Sequence, residues 1–294
     1  MAEKILAYSI IIPTYNRSDQ LADCLRALAP QIAGRSDVEV IIVNDGGSKE
    51  HLEKLQKLSV SPTVLCLETN LGPSAARNAG MRHAAGDIVY FLDDDSLPAA
   101  DWFGSSLQAW REHPEADGVG GPVAVDPDET PPCRINALLF NWLMKQNQED
   151  GGNVSFLSSC NASYRKKGLK KVEGFDESFK KPAGEDRDLN IKLMAAGCRL
   201  KFTESMKVYH GRGLSVRRFV KKHMMYGVAS RRLFKKYETR SHFSLLSYGR
   251  LFQSVNLEFR SVFSRLSACC LLILSQIATL WGYMKTFLMR DDSV

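Results

Sequence analysis

The sequence predicts an α/β protein built on a mostly parallel β-sheet with helices on both faces. Short apolar, β-branched runs alternate with amphipathic segments through roughly the first hundred residues, which is the pattern of successive βα units. Polar clusters follow the ends of three of these runs, where parallel sheets bind their ligands. With 44% hydrophobic residues among 294, the chain can bury a substantial core.

The first βα unit opens the chain. The run AYSIII, from Ala7 to Ile12, predicts a buried strand. Ser18 is expected to cap the helix that follows. That helix carries leucines at helical spacing, namely Leu21, Leu25 and Leu28.

Further strands and helices follow at regular spacing. The run VEVIIV, from Val38 to Val43, predicts a second strand that leads into an Asn-Asp-Gly-Gly turn. The elements predicted after it are a helix from His51 to Leu58, a strand from Thr63 to Leu67, a helix from Pro73 to Ala85 and a strand from Asp87 to Leu92. Parallel strands end at one edge of a sheet, so the polar clusters should converge on one crevice.

The pattern weakens in the second half. Residues 121 to 134 are rich in Pro, Asp and Gly and predict a mobile surface loop. Order should resume near Val154 to Tyr164, and a further helix is predicted from Asp186 to Ala196. From Ser215 onward apolar and basic residues interleave, which predicts a basic amphipathic helix that Gly227 breaks in two.

Charge is distributed unevenly along the chain. The net charge is +6, yet residues 165 to 240 hold 22 lysines and arginines against 8 acidic residues, so this stretch should meet an anionic partner. Residues 266 to 284 contain no charge; they could span a membrane, lie in its interface or form a buried helix of a soluble protein. A nucleic-acid partner would leave the acids at the strand ends unexplained, so we expect none.

Cysteine usage and the N-terminal sequence indicate a reducing compartment. The seven cysteines are scattered and form no C-x-x-C pair. The start, MAEKILAYSI, lacks the features of a secretory signal. We therefore expect the folded part of the chain to stay in the cytoplasm.

The most unusual motif is an acidic triplet, Asp93, Asp94 and Asp95, directly after a predicted strand. Adjacent carboxylates repel one another, and a divalent cation would relieve that repulsion. Hard cations take oxygen ligands, and Mg²⁺ is often shared between carboxylates and substrate phosphates. The alternative is the acidic first turn of a helix.

Other candidate residues have both functional and structural interpretations. Asp45 could accept a hydrogen bond from the ring N–H of uracil or stabilise an Asp-Gly turn. Arg77 could pair with a phosphate or the triplet, or be a solvated helix residue. Glu185 and Asp186 open a helix, where one could deprotonate a hydroxyl or both could favour the helix start. His210 could ligate a metal, orient a phosphate or be structural.

Five motifs occur in a specific order: SIIIPTYNR, IIVNDGGS, NLGPSAARNAG, YFLDDDS, and GFDESF with GEDRDLNIKLMAAG. In that order they resemble the family 2 glycosyltransferases over roughly residues 7 to 230. The resemblance implies the Rossmann-like GT-A fold, a nucleotide-sugar donor that is usually a UDP-sugar, a Mn²⁺ or Mg²⁺ cofactor, and inversion at the anomeric carbon. The chain lacks the Q-x-x-R-W signature of processive members, so transfer is expected to be non-processive.

The resemblance also implies residue roles. Asp186 would be the general base, with Glu185 shaping the acceptor site. The nucleoside would lie against Pro13, Tyr15 and Arg17, with Asp45 on the uracil edge and Arg77 supporting the pocket near the diphosphate. Asp93 would face the ribose or sugar. The metal would be held by Asp95, with help from Asp94, and by Asp93 and His210.

These interpretations together predict a catalytic domain, 1–230, and a helical membrane-associating region, 231–294. The acceptor would be a hydroxyl of a saccharide or lipid-linked molecule at the cytoplasmic face of the cell membrane, in cell-envelope glycan assembly. Two alternatives remain open. A non-catalytic nucleotide-sugar sensor could keep every binding residue, and a nucleotidyltransferase shares the α/β plan but normally has a Gly-rich loop that PTYNRSD lacks.

Overall fold

The computed structural model describes residues 7–48, 52, 61–146, 153–238, 245–259 and 261–288. The strands are β1 (Tyr8–Thr14), β2 (Val38–Asn44), β3 (Thr63–Cys66), β4 (Ile88–Leu92), β5 (Leu97–Pro98), β6 (Gly118–Gly120), β7 (Val123–Ala124), β8 (Asn161–Arg165), β9 (Leu200–Phe202) and β10 (Val208–Tyr209). The helices are α1 (Ser18–Ile32), α2 (Pro73–His83), α3 (Trp102–Glu112), α4 (Pro131–Gln146), α5 (Lys166–Lys171), α6 (Glu185–Ala195), α7 (Val216–Tyr237), α8 (Leu245–Glu258) and α9 (Val262–Leu288).

The main sheet has seven strands in the order β3-β2-β1-β4-β8-β6-β9. The four strands from β3 to β4 are parallel, whereas β8 runs antiparallel to both β4 and β6. The predicted mostly parallel α/β sheet is confirmed. The predicted bounds of β1 to β4, α2 and α6 agree with the structure to within two residues.

Helices cover both faces of this sheet, as predicted. Tyr90 of β4 packs against Trp102 and Phe103 of α3 on one face. Side chains at the next position along these strands point to the opposite face of the sheet. There, Ile11 of β1 packs against Gly80 of α2, and a Cβ on Gly80 would lie 2.5 Å from the Ile11 side chain. The buried strands therefore read as continuous apolar runs.

A second, three-stranded sheet in the order β5-β10-β7 was not predicted. It corrects the interpretation of residues 121 to 134 as one mobile surface loop. Gly121 and Pro122 are buried, β7 pairs with β10, and α4 begins at Pro131. Strands of two residues have no periodicity that a sequence could reveal.

Three other predictions need comment. Ser18 does not cap α1, because Arg17 occupies the cap position. The Arg17 side chain makes no cap hydrogen bond, and its guanidinium lies 3.1 Å from Asp94 Oδ1 instead. Gly227 does not break α7, which is continuous from Val216 to Tyr237. The predicted helix from His51 to Leu58 lies outside the described residues except for Leu52.

The chain divides into two compact units. The first unit contains Met1–Ala124 and Asn147–His210, and the second contains Val125–Gln146 and Gly211–Val294. The second unit is helical, with a core that includes Ile135 of α4, Phe219 of α7, and Leu251 of α8. The functional division at residue 230 stays a prediction.

Candidate active site

The candidate site lies at the edge of the first unit's sheet where β1, β2 and β4 end. β1 and β2 are in register to their last residues, since Thr14 pairs with Asn44. On the other side of β1, Ile11 pairs with Phe91 of β4. Asp45 and the acidic triplet follow β2 and β4 directly. Both polar clusters therefore lie along one edge, as the parallel arrangement requires.

The antiparallel strand β8 brings a residue to this edge that the sequence did not indicate. The first residue of β8, Asn161, pairs with Leu92 at the end of β4. Cys160, which precedes Asn161, therefore lies next to Asp93. A parallel strand would have its last residue at this edge instead. A five-residue strand carries no sequence signal of its direction, so Cys160 was missed.

The short strand β10 brings His210 to the acidic triplet. Tyr209 of β10 pairs with Leu97 of β5, which begins two residues after Asp95. His210 follows directly and its Nδ1 lies 3.0 Å from Asp95 Oδ1. The structure thus brings together the histidine and an aspartate that sequence analysis had grouped, through pairings that it had not foreseen.

The carboxylates of the triplet have different surroundings. Asp94 is buried and accepts hydrogen bonds from Thr14 Oγ1 (2.8 Å) and Arg17 Nη1 (3.1 Å). Burial raises the pKa of Asp94 to about 6, although Arg17 acts to lower it. The side chains of Asp93 and Asp95 keep 27% and 30% of their exposure. These two carboxylates, and not Asp94, are accessible to a ligand.

Arg77 links the triplet to the start of α6. Its guanidinium is buried and lies 2.7 Å from Asp93 Oδ1 and 3.2 Å from Glu185 Oε1. Burial acts to lower the pKa of Arg77, but these carboxylates outweigh it and raise the pKa above its usual value. Arg77 is therefore a buried cation between two acids. The centre of the Phe175 ring lies 5.5 Å from its guanidinium carbon.

Asp45 fastens the loop between β3 and α2. Its two carboxylate oxygens accept hydrogen bonds from the backbone N–H groups of Leu71 (2.8 Å) and Gly72 (2.9 Å). Burial raises the pKa of Asp45, although these two hydrogen bonds act to lower it. A uracil ring bound as the family resemblance implies would share these oxygens with the backbone donors.

The residues after β1 form the exposed side of the site. Pro13 is half-buried and Tyr15 is 47% exposed, so its ring is free to stack on a planar base. Asn16 has a left-handed backbone (φ 53°), and its Oδ1 accepts a hydrogen bond from Ser48 N at 2.9 Å. The loops after β1 and β2 are thereby held together. Arg17 extends from this segment to the triplet.

Glu185 and Asp186 open α6 and are held differently. Glu185 is buried, and besides Arg77 it binds the backbone N–H of Ala183 at 2.8 Å. Asp186 is half-buried; its oxygens accept hydrogen bonds from Arg187 N (2.8 Å) and Ser158 Oγ (3.4 Å). Burial, followed by the adjacent Glu185 charge, raises the pKa of Asp186 to about 7. Asp186 can therefore take up a proton near neutral pH.

A continuous series of contacts joins the triplet to Asp186. The ligand atoms of Asp93, Cys160 and His210 lie within 4.8 Å of one another. Ser158 Oγ lies 3.3 Å from Cys160 Sγ and 3.4 Å from Asp186 Oδ2. The acidic triplet and the carboxyl of Asp186, whose pKa is about 7, therefore belong to one site.

A divalent metal fits this group. Carboxylate oxygens and an imidazole nitrogen ligate Mn²⁺ and similar ions, and a thiolate adds affinity for borderline ions such as Zn²⁺ and Co²⁺. Among the described residues, Asp93, Cys160 and His210 converge most closely, with Asp95 held against His210. This differs from the expected set of Asp95, Asp93 and His210 by the addition of Cys160.

Comparison with known sequences gives a consistent family. The profile described as Glycosyl transferase family 2 matches residues 9–173. A Mycobacterium tuberculosis pre-mycofactocin glycosyltransferase is 26% identical over 271 residues, which cover 91% of this chain and 56% of that protein. The Bacillus subtilis minor teichoic acid biosynthesis protein GgaB is 29% identical over 199 residues, covering 64% of this chain and 21% of that protein. The chain thus spans about half or less of these relatives.

Solved structures with the same fold support this result. The Pyrobaculum calidifontis mannosyltransferase PcManGT, in complex with GDP-Man and Mn²⁺, gives a TM-score of 0.61 at 17% identity, covering 97% of this chain and 80% of its own. S. aureus TarS 1-349 in complex with UDP-GlcNAc gives 0.57 at 18% identity, covering 95% and 89%. These likenesses confirm the predicted GT-A fold.

Proposed function

Because the chain belongs to glycosyl transferase family 2 and is a glycosyltransferase, we propose that it transfers a sugar from a nucleotide-diphosphate sugar to an acceptor hydroxyl with inversion. The donor is proposed to be a UDP-sugar. One observation carries this proposal. Ser158 contacts both Cys160, which belongs to the group of metal-ligating side chains, and Asp186, the carboxyl whose pKa is raised. The metal-ligating side chains would hold the ion that stabilises the leaving diphosphate, and Asp186 would accept the proton of the attacking hydroxyl.

The donor is proposed to bind along the exposed strand ends. Tyr15 would stack on the base, and Asp45 would accept its ring N–H. Asp93, Asp95, Cys160 and His210 would hold a divalent ion, Mn²⁺ or Mg²⁺, whose charge would stabilise the diphosphate leaving group. The related structures with GDP-Man and Mn²⁺ and with UDP-GlcNAc support this class of ligand.

Asp186 is proposed to act as the general base. Its carboxylate would accept the proton of the acceptor hydroxyl while that oxygen forms a bond to the anomeric carbon. The bond between the anomeric carbon and the diphosphate oxygen breaks, and the nucleoside diphosphate leaves from the opposite face. Glu185 cannot readily share this role, because Arg77 and Ala183 N occupy its oxygens.

The setting is proposed from the chain's basic and apolar C-terminal region. The acceptor would be a saccharide or lipid-linked molecule at the cytoplasmic face of the cell membrane, in cell-envelope glycan assembly. The proposed regions are a catalytic domain, 1–230, and a membrane-associating region, 231–294. The teichoic acid relative supports an envelope setting. Transfer is proposed to be non-processive, since the chain lacks Q-x-x-R-W.

The direct test is mass spectrometry of products after membranes containing the protein are incubated with a panel of nucleotide-sugars and Mn²⁺. Transfer of one sugar to an endogenous acceptor is expected. The Asp186→Asn protein should keep donor affinity and lose about 10²- to 10⁴-fold in rate, as for other general bases. Asp95→Ala should weaken Mn²⁺-dependent binding of UDP in isothermal titration.

The alternatives give different outcomes in the same experiment. A nucleotide-sugar sensor would bind donor and yield no product in any arm. A nucleotidyltransferase would join a nucleotide to a sugar phosphate and release pyrophosphate. Either result would contradict the proposal.

A further inference from the structure

The longest helix of the second unit, α9, has one exposed apolar face. The exposed large apolar residues on it are Val262, Phe263, Leu266, Ile273, Ile277, Leu280, Trp281 and Met284. At 100° per residue these side chains fall within a single sector of the helix. We call this set the α9 apolar face. Among the described side chains of α9, the exposed polar ones next to it are Gln276 and Lys285.

The opposite face of α9 is committed to protein contacts. Ala268, Leu271, Leu272, Ser275 and Ala278 are buried there. Three of them, Ala268, Leu271 and Leu272, belong to the core that includes residues of α4, α7 and α8. One side of α9 is therefore exposed and the other is buried against protein, and both sides are mainly apolar.

Two glycines bring α7 and α9 into backbone contact. A Cβ on Gly227 of α7 would lie 1.9 Å from the carbonyl oxygen of Thr279, and a Cβ on Gly282 of α9 would lie 2.0 Å from that of Met224. Neither position can hold a side chain in this packing. The two helices are consequently fixed against each other as one pair.

The composition of α7 determines where this pair can reside. The helix contains eight lysines and arginines and no acidic residue: Arg217, Arg218, Lys221, Lys222, Arg231, Arg232, Lys235 and Lys236. If α9 crossed a bilayer, α7 would enter the hydrocarbon beside it. Basic side chains within the hydrocarbon are strongly unfavourable, and α7 carries four on each side of its uncharged stretch 223–230, which disfavours a spanning pair with this packing.

We propose that α9 lies in the plane of an anionic membrane surface, with the α9 apolar face inserted among the lipid tails and α7 on the aqueous side. The 27 residues of α9 are within the length range of interfacial helices, and the side of α9 opposite the apolar face is buried in protein contacts. The described residues of the second unit include 14 lysines and arginines against 5 acidic residues, so anionic lipids are favoured. The inference deepens the membrane association proposed above and does not depend on the sugar chemistry.

Binding is tested by flotation of the full chain with vesicles of phosphatidylcholine alone or with 30% phosphatidylglycerol, without donor or acceptor. The anionic vesicles should bind the protein at least tenfold more tightly. Ile277→Glu should reduce that binding at least tenfold because it places a charge in the inserted face. Gln276→Glu, which adds the same charge at the adjacent exposed position, should reduce it much less.

Two controls accompany the flotation experiment. Both variants should keep the parent's circular dichroism spectrum and melting temperature, since both positions are exposed. Equal binding of the parent and Ile277→Glu would overturn the proposal. A stable dimer that ignores vesicles would also overturn it, because a second copy would then cover the α9 apolar face.

Orientation is tested by quenching of tryptophan fluorescence with lipids brominated at different depths. The parent's exposed indole on α9, Trp281, is compared with the variant Ile273→Trp/Trp281→Phe. The two positions are eight residues apart, which is about 12 Å along a helix. An in-plane helix gives the same shallow depth at both, and alkaline carbonate should release the protein. A deep indole at position 273 with a shallow one at 281 would show a spanning helix and contradict the proposal.

Discussion

At the scale of single residues, the surroundings of Asp186 determine its pKa, which its sequence motif does not reveal. Burial and the adjacent Glu185 raise the pKa of Asp186 to about 7. A base must be ionised to accept a proton, so kcat/KM should fall below about pH 7, tenfold for each pH unit. The pH profile of initial rates measures this limb. A rate that stays constant from pH 7 to pH 5 would contradict the role of Asp186.

The same raised pKa affects stability in a defined direction. A carboxyl whose pKa is higher in the folded state binds its proton more tightly when folded, so it destabilises the fold as pH rises through about 7. Asp186→Asn should therefore be more stable than the parent at pH 8, and this advantage should disappear near pH 4. Urea unfolding at the two pH values measures the difference.

Arg77 is the only cation that the described hydrogen bonds and ion pairs give to Glu185. Arg77→Met leaves this buried carboxylate and Asp93 without their shared partner, and the free energy of unfolding should fall by about 3–5 kcal/mol. Adding Glu185→Gln removes one uncompensated charge and should recover part of that loss. Denaturant unfolding of the parent, single and double variants provides the comparison. A single variant as stable as the parent would contradict this account.

Cys160 is predicted to be a metal ligand. A thiolate bound to Co²⁺ gives a charge-transfer absorption that oxygen and nitrogen ligands do not. The parent loaded with Co²⁺ should show this band, and Cys160→Ser should lose it and bind Co²⁺ at least about tenfold more weakly, ~1.4 kcal/mol. The control is Cys66→Ser, since Cys66 is exposed on β3. A band that survives Cys160→Ser would remove Cys160 from the site.

At the scale of elements, β1, β2 and β4 were predictable because each contains a run of at least three buried apolar residues, whereas β3 is largely exposed. The crevice followed from them, since it depends only on parallel strands ending at one edge. The direction of β8 and the two-residue strands β5, β7 and β10 were not predictable. Their pairing is set by contacts distant in sequence, and it is this pairing that brings Cys160 and His210 to the triplet.

The loop after β2 depends on a glycine, which gives a prediction with a close control. Gly46 and Gly34 both have φ +72°, but a Cβ on Gly46 would lie 2.2 Å from the backbone of Thr69, whereas Gly34 has open space. Gly34→Ala should cost about 1–2 kcal/mol of backbone strain. Gly46→Ala should cost a further ~1–3 kcal/mol through overlap and should also weaken UDP binding, because Asp45 is adjacent.

Thermal and denaturant unfolding measure both losses, and isothermal titration measures UDP binding. Equal destabilisation by the two substitutions would show that the backbone of Thr69 moves away freely. Loss of UDP binding in Gly34→Ala as well would show that the effect is global and not confined to the Asp45 loop.

At the scale of the whole molecule, charge and apolar surface differ between the two units. The acidic strand ends lie in the first unit, and the basic helix α7 and the α9 apolar face lie in the second. A sequence can indicate this division, because charge and apolar patterning are local properties. It could not distinguish an interfacial α9 from a spanning one, because that distinction depends on the backbone contact through Gly227 and Gly282.

This division gives a prediction about acceptors. An enzyme held at a membrane meets lipid-linked acceptors at a raised effective concentration, whereas a water-soluble acceptor gains nothing from the surface. Ile277→Glu should therefore lower kcat/KM at least about tenfold for an acceptor embedded in anionic vesicles and leave it unchanged for a short-chain, soluble analogue. Gln276→Glu should change neither value appreciably. If Ile277→Glu lowered both rates equally, α9 would be acting on the catalytic unit itself and not through the membrane.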